Sequence, residues 1–401
     1  MKTEPEAFIF NPKHNSQQVL KILKALKQAS HQLHQNPNTT FSNSPAIKAL
    51  LELQHESDSI LSNDPHLTPL STHLTALKTL INSPVQRHNG LKSFIIRRVN
   101  SHEVSKLAGS IESEIDRWIG REIVETLTQT LRRGNELKEE VLIDLIEQFE
   151  ARIARGFDRD LQDSILRSKV FNELESILCD STSNDKGKSY GNYSKNIREA
   201  AAFAITELIR FNKDVFVGQV LIGETEIIRA LVELSSVRSL QAVGMLIRLI
   251  KSPIVDEIES NGEIVNIIDL LTCNEMSVGA MAMECVMEIG YFGRKEAVEA
   301  MLKADLVKKL VELQRNESRG VVTDVKGWCP VRTSENNNNI EMHSFSSCVA
   351  RFAVQLEVGE GLRQREKRAL KQEVLKRVRD ACVCEAEAAT IIAEVLWGAS
   401  P

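Results

Sequence analysis

IVNIIDLL (residues 264–271) and LVKKLVEL (residues 306–313) repeat one apolar pattern, and the earlier segment IIRALVEL around Leu231 matches both. Leu231, Ile268 and Leu310 are equivalent positions, which gives spacings of 37 and 42 residues. Self-similarity with a period near 40 residues is typical of stacked helical repeats. A unit of two or three helices cannot bury its apolar face alone, so we expect the copies to stack around one continuous core.

A longer apolar segment accompanies each copy. These segments are AAAFAITELI (residues 200–209), LQAVGMLIRLI (residues 240–250) and GAMAMECVMEIG (residues 279–290). Their apolar residues recur at helical spacing, and small residues occupy their centres, which favours close packing of helix on helix. The sequence therefore predicts an all-α fold.

A short helix, a second helix and a longer third helix with small central residues follow one another in each unit. This order resembles the armadillo repeat, in which a glycine usually precedes the second helix; Gly262 stands there, and Ala304 takes that place in the next copy. The resemblance implies a right-handed α-solenoid that binds other proteins. Residues 102–131 resemble the helical N-terminal region of plant proteins with a U-box and armadillo repeats, and residues 345–401 resemble the C-terminus of a plant armadillo family without a U-box.

The chain divides at polar, Pro-rich or Gly-containing stretches. We predict a mobile leader (1–15), an N-terminal helical bundle (16–133) and armadillo-like repeats with C-terminal capping helices (137–398), interrupted by polar inserts (180–196 and 318–343).

Composition narrows the class of protein. Aromatic residues make up 5% of the chain, which favours helix packing over a β-sandwich. A net charge of -5 argues against nucleic acid or a membrane surface as the main partner. We expect neither a membrane-spanning segment nor a signal peptide, because no apolar run is long enough to cross a bilayer and acidic residues stand near the start of the sequence. Seven cysteines fit no disulfide framework, and Cys273 and Cys285 are expected to be buried, so we predict a cytoplasmic or nuclear protein.

The sequence carries no recognisable catalytic motif. In the U-box proteins that this chain resembles, the U-box is a domain of about 70 residues with a Cys-Pro loop. No segment between the predicted bundle and the repeats has that length or those residues. WCPVRTSE (residues 328–335) contains a Cys-Pro but lies inside a repeat. The CxC at Cys382 and Cys384 has no partner pair for zinc, and HEVSK at His102 has no second histidine. The sequence predicts no catalytic residue, metal or cofactor, and hence no enzyme.

Armadillo proteins that hold extended peptides commonly use an asparagine on the third helix. The matching positions here are Glu207, Arg248, Glu288 and Leu356, so capture of a peptide backbone in that way is not expected. The charged residues Glu207, Arg248 and Glu288 are candidates for binding a partner. Two interpretations stay open: they pair with one another or are solvated, or they select a partner of complementary charge.

A basic run follows in the capping region. Its cations lie on a helix whose apolar stripe includes Leu370, Val374 and Val378, so they form a basic outer face. The basic residues are Arg363, Arg365, Lys367, Arg368, Lys371, Lys376, Arg377 and Arg379. Binding of nucleic acid or acidic lipid through this face is an alternative function, and it would weaken steeply with salt.

The three tryptophans differ in their surroundings. Trp118 and Trp397 are expected to pack in the core or cap, whereas Trp328 in the polar insert is a candidate binding anchor or tucks back onto the repeats. The sequence as a whole predicts a non-catalytic scaffold or adaptor with a protein partner. A second alternative is a substrate-presenting component of a ubiquitination complex. The identity of the partner and the oligomeric state stay open.

Overall fold

The computed structural model describes residues 23–28, 30–31, 67–82, 91–133, 138–180, 193–221, 226–318 and 345–397. Within these residues every regular element is a helix, which confirms the predicted all-α class. None of the helices in these ranges has the length and apolar character needed to cross a membrane. The leader, Trp328 and most of both predicted inserts lie outside the described residues.

The helices are named in chain order. Their bounds are α1 Thr68–Asn82, α2 Leu91–Arg133, α3 Glu139–Ile153, α4 Arg159–Ser168, α5 Val170–Leu178, α6 Lys195–Phe211, α7 Lys213–Leu221, α8 Ile227–Leu234, α9 Val237–Ile250, α10 Ser252–Ser260, α11 Glu263–Leu270, α12 Met276–Phe292, α13 Lys295–Lys303, α14 Leu306–Ser318, α15 Cys348–Val358, α16 Gln364–Ala381 and α17 Glu385–Trp397.

Contacts divide the chain into two compact units. The first comprises residues 1–126 and 158–168, and its described part contains α1, most of α2 and α4. An apolar cluster from residues 23–28, α1 and α2 forms its core, and Trp118 belongs to that cluster with 7% of its surface exposed. The Nζ of Lys27 lies 2.6 Å from Asp116 at the edge of this core. The expected burial of Trp118 is thereby confirmed.

The second unit comprises residues 127–157 and 169–401, and it is a stack of helical units. Helices α7–α9, α10–α12 and α13–α15 are successive groups of three, and corresponding helices of neighbouring groups pack together. The Oγ of Ser252 donates to the Phe292 carbonyl at 2.7 Å, and Lys309 pairs with Asp269; each contact joins residues 40 apart. These contacts confirm a repeat length near 40 residues.

Two of the second helices, α11 and α14, begin after a residue with left-handed backbone geometry. Gly262 has a φ of 75° and immediately precedes α11. In the next unit the left-handed residue is Asp305, with a φ of 56°, directly before α14. The expected equivalence of Ala304 with Gly262 is therefore wrong by one residue. Aspartate tolerates this conformation better than most residues because its short side chain hydrogen-bonds locally.

The last two helices, α16 and α17, follow α15 after a short connection. Leu370, Val374 and Val378 of α16 are buried, as their spacing predicts. Trp397 is 84% exposed, so its expected packing in the cap is wrong. It is the last residue of α17 and stands two positions after the buried Val395, which turns it roughly 200° around the helix from the core.

Cys285 and Cys273, both expected to be buried, differ in their burial. Cys285 lies on α12 and is fully buried, where its Sγ donates to the Leu240 carbonyl at 3.3 Å. Cys273 is only half-buried, because α11 ends at Leu270 and Cys273 stands in the following turn rather than on a helix face.

Candidate interaction surface on the third helices

Helices α6, α9, α12 and α15 pack side by side in that order, with α3 before them and α17 after them. We call α3, α6, α9, α12 and α15 the third-helix row. Small residues let these helices approach closely: Ala201 and Ala204 are fully buried on α6, and Ala242 is fully buried on α9. On α12, a Cβ added to Gly290 would lie 3.1 Å from the ring of Phe352 on α15. The solvent-facing sides of the row bear the charged candidates.

Arg248 and Glu288 meet across α9 and α12. The Arg248 Nη1 donates to the Glu288 Oε1 at 3.1 Å, and the two side chains are 49% and 19% exposed. Burial raises the pKa of Glu288, while the guanidinium of Arg248 lowers it. Of the two interpretations left open by the sequence, mutual pairing is what these two residues do in the absence of a partner.

Glu207 does not join that pair. It lies on α6, where its Oε1 is 2.8 Å from the Nη1 of Arg210, one turn further along the same helix. Glu207, Arg248 and Glu288 thus lie on successive third helices, and of these three the structure pairs Arg248 with Glu288.

The equivalence of Leu356 with these positions is wrong. Leu356 on α15 is 1% exposed and belongs to the core. Its neighbour Gln355 borders the same open space as Arg248 and Glu288. One residue along a helix is a rotation of about 100°, so a shift of one position moves a side chain from the surface to the core.

A groove of about 660 Å³ lies among α9, α12 and α15. Apolar residues form part of its walls, among them Met287 and Tyr291 from α12 and Val354 from α15. The ring of Tyr291 meets that of Phe292 edge-on at 4.7 Å between centroids. Val354 is 41% exposed.

Charged residues surround these apolar walls. Three ion pairs line or border the groove, namely Arg248 with Glu288 at 3.1 Å, Arg351 with Glu284 at 3.3 Å and Lys251 with Glu360 at 2.9 Å. Glu360 is held in place because its backbone N–H donates to the Tyr291 carbonyl at 2.8 Å. The lining of the groove is thus largely charged, and Tyr291 and Val354 add accessible apolar surface to it.

Sequence reasoning missed an acidic group at the start of the row. Glu150 on α3 is half-buried. Burial, followed by repulsion from Glu207, raises the pKa of Glu150 to about 7, while Arg238 on α9 lowers it. The sequence did carry a signal for the burial of Glu150. Ile146, Phe149 and Ile153 mark the buried face of α3, and Glu150 directly follows Phe149.

Three of the eight predicted basic residues hold α16 in place. Lys367 donates to the Glu357 carbonyl at 2.9 Å, and Lys371 pairs with the carboxylate of the same residue at 2.7 Å. Arg377 donates to the Leu302 carbonyl. These cations therefore have a structural role in docking the C-terminal helices.

The remaining basic residues face outward. They are Arg363, Arg365, Arg368, Lys376 and Arg379, all exposed. Binding of nucleic acid or acidic lipid through this outer face stays a prediction. Likewise, Trp328 stays a prediction because it lies outside the described residues. Within those residues no cluster of three or more potential metal ligands occurs.

The known structures that this chain resembles are distant from it in sequence. No protein-family model matches the chain, and no curated protein matches it. A designed armadillo repeat protein is 14% identical with a TM-score of 0.40, over 68% of this chain and 100% of that chain. A designed armadillo repeat protein in complex with the peptide (KR)4 is 14% identical with a TM-score of 0.41, over 67% and 99%. These low scores carry no inference about binding.

Proposed function

We propose that this chain is a non-catalytic scaffold that binds a protein partner on the third-helix row. The observation that supports the proposal most is the groove among α9, α12 and α15, whose lining joins ion-paired charges with the apolar surface of Tyr291 and Val354. Interfaces between proteins combine apolar contacts with polar and charged ones. The groove offers both kinds of group to a partner.

Packing of the row supports the same proposal. Each third helix is fixed by its neighbours through buried small and apolar residues, so most of the groove's lining belongs to packed helices. A preformed surface loses little conformational entropy on binding. The charged groups lining the groove are engaged in ion pairs, an arrangement suited to selecting a partner and not to activating a nucleophile.

Charge reversal on the row provides the test. In a Glu207→Lys/Glu288→Lys variant, a new ammonium stands beside Arg248, so an attractive pair becomes repulsive and the potential along the row changes sign locally. We expect proteins that co-purify with the wild type to be depleted at least about tenfold, which corresponds to about 1.4 kcal/mol. Quantitative mass spectrometry after affinity purification measures the depletion, and circular dichroism checks that the variant folds.

A matched control makes the same change of charge elsewhere. Glu233 on α8 and Glu296 on α13 are exposed and lie outside the third-helix row. The Glu233→Lys/Glu296→Lys variant should retain its partners. Equal partner sets from both variants would rule out the row as the binding surface. Enrichment of ubiquitin-conjugating enzymes or a catalytic ligase subunit among the lost proteins would support the finer proposal of substrate presentation.

A further inference from the structure

Four exposed basic residues of α16 form a stripe on the outward side of that helix, which we call the basic stripe. They are Arg365, Arg368, Lys376 and Arg379. A helix turns by about 100° and rises by about 1.5 Å per residue, so the four residues lie within an arc of roughly 80° and extend over roughly 21 Å of the helix axis. The stripe lies roughly opposite the buried Val374.

The charges of the basic stripe are not neutralised by the described part of the chain. There, no hydrogen bond or ion pair engages any of its four side chains, whereas Lys367, Lys371 and Arg377 on the flanks of α16 contact carbonyls or carboxylates. The stripe consists of two pairs of cations, and the members of each pair stand three residues apart. Like charges at that spacing on a helix repel each other, so an anionic group bound between them relieves the repulsion.

The surroundings of the basic stripe distinguish between anionic partners. Glu366, Glu373 and Asp380 follow one side of it, at rotations of roughly 60–100° from Arg365. A wide polyanion, such as a bilayer or a nucleic-acid duplex, would bring its phosphates against these carboxylates, whereas one polypeptide segment is narrow enough to follow the stripe alone. The net charge of -5 also opposes the approach of a polyanion. Because α16 contains no aromatic residue, it offers no ring on which the bases of a single strand could stack.

We propose that the basic stripe of α16 binds an acidic segment of a partner protein. The guanidinium groups of Arg365 and Arg368 donate to carboxylates at one end of the stripe, and Lys376 and Arg379 do so at the other. The exposed amide of Gln372 lies between the two pairs and is available to a polar group of the segment. Since α16 does not belong to the third-helix row, this site goes beyond the proposed function and can fail independently of it.

Peptide selection followed by direct binding to the full chain tests the proposal. Random dodecapeptides displayed on phage are selected against the wild type, and the affinities of the enriched acidic peptides are measured by fluorescence anisotropy. Arg365→Glu/Arg379→Glu reverses the charge at both ends of the stripe. Arg159→Glu/Arg167→Glu is the matched control, because these arginines are exposed and stand in the first and last turns of α4. Circular dichroism checks that both variants fold, and Arg365→Gln/Arg379→Gln removes the two charges without reversing them.

The expected result is an enriched class of peptides with an excess of aspartate and glutamate. Their affinity should fall at least about tenfold on Arg365→Glu/Arg379→Glu, fall less on the glutamine variant and stay unchanged on the control. Added salt should weaken their binding to the wild type, because exposed ion pairs are screened.

The absence of an acidic class, or acidic peptides that bind the stripe variant and the control equally well, would overturn the proposal. So would a short DNA duplex or phosphatidylserine vesicles that bind the wild type more tightly than the peptides do and lose that binding on the stripe variant. Acidic peptides whose affinity changes only on Glu207→Lys/Glu288→Lys would place their site on the third-helix row. That outcome overturns this proposal and leaves the proposed function standing.

Discussion

Replacing Phe352 by alanine is expected to lower the free energy of unfolding by about 3–5 kcal/mol. The ring of Phe352 is fully buried on α15 and packs against Gly290 of α12. Since Gly290 has no side chain that could move into the vacated space, the substitution leaves a cavity between two helices of the row. Urea unfolding followed by circular dichroism measures the change.

Val354→Ala is the control on the same helix. Val354 is 41% exposed, so its truncation should change the free energy of unfolding by about 1 kcal/mol or less. If Phe352→Ala were no more destabilising than Val354→Ala, the packing described for α12 and α15 would be incorrect.

Replacing Glu150 by glutamine is expected to stabilise the protein by about 2–3 kcal/mol at pH 8. In the folded chain the pKa of Glu150 is raised from 4.5 to about 7, chiefly by burial and then by Glu207. The folded state therefore binds a proton more tightly than the unfolded state. Ionisation of Glu150 makes the protein less stable as the pH rises from 4.5 to 7, and the full loss is present above pH 7. Glutamine stays neutral and avoids this loss.

The gain from Glu150→Gln should disappear below pH 4.5, where the carboxyl is protonated in both states of the wild type. Urea unfolding at pH 4, 6 and 8 measures this dependence. Glu140→Gln is the matched control, because Glu140 lies on the same helix and is exposed. A gain at pH 8 no larger than that of Glu140→Gln would contradict the burial assigned to Glu150.

Local patterns in the sequence predicted the helices and their repetition. The apolar spacing around Leu231, Ile268 and Leu310 predicted stacked units with a period near 40, and contacts between residues 40 apart confirm it. The helical pattern depends only on residues three or four positions apart, and its repetition is found by comparing segments along the sequence. They are therefore readable without knowledge of the rest of the fold.

Features that depend on the relative placement of distant helices were not predictable in the same way. The pairing of Arg248 with Glu288 depends on how α9 lies against α12, and the raised pKa of Glu150 depends on its burial and on Glu207, 57 residues away. The misplacement of Leu356 had a different cause. Alignment to a family pattern allowed an error of one residue, which on a helix exchanges the core for the surface.

Photo-crosslinking from the groove tests the central claim most directly. A benzophenone amino acid is placed at position 354 in one variant and at position 265 in another, both positions being exposed valines of the native chain. After irradiation in cell extract, we predict a discrete protein adduct from position 354 and none from position 265. The adduct from position 354 should be lost when Glu288→Lys is added. Adducts of equal yield from both positions, or an adduct from position 265 alone, would contradict a partner bound on the third-helix row.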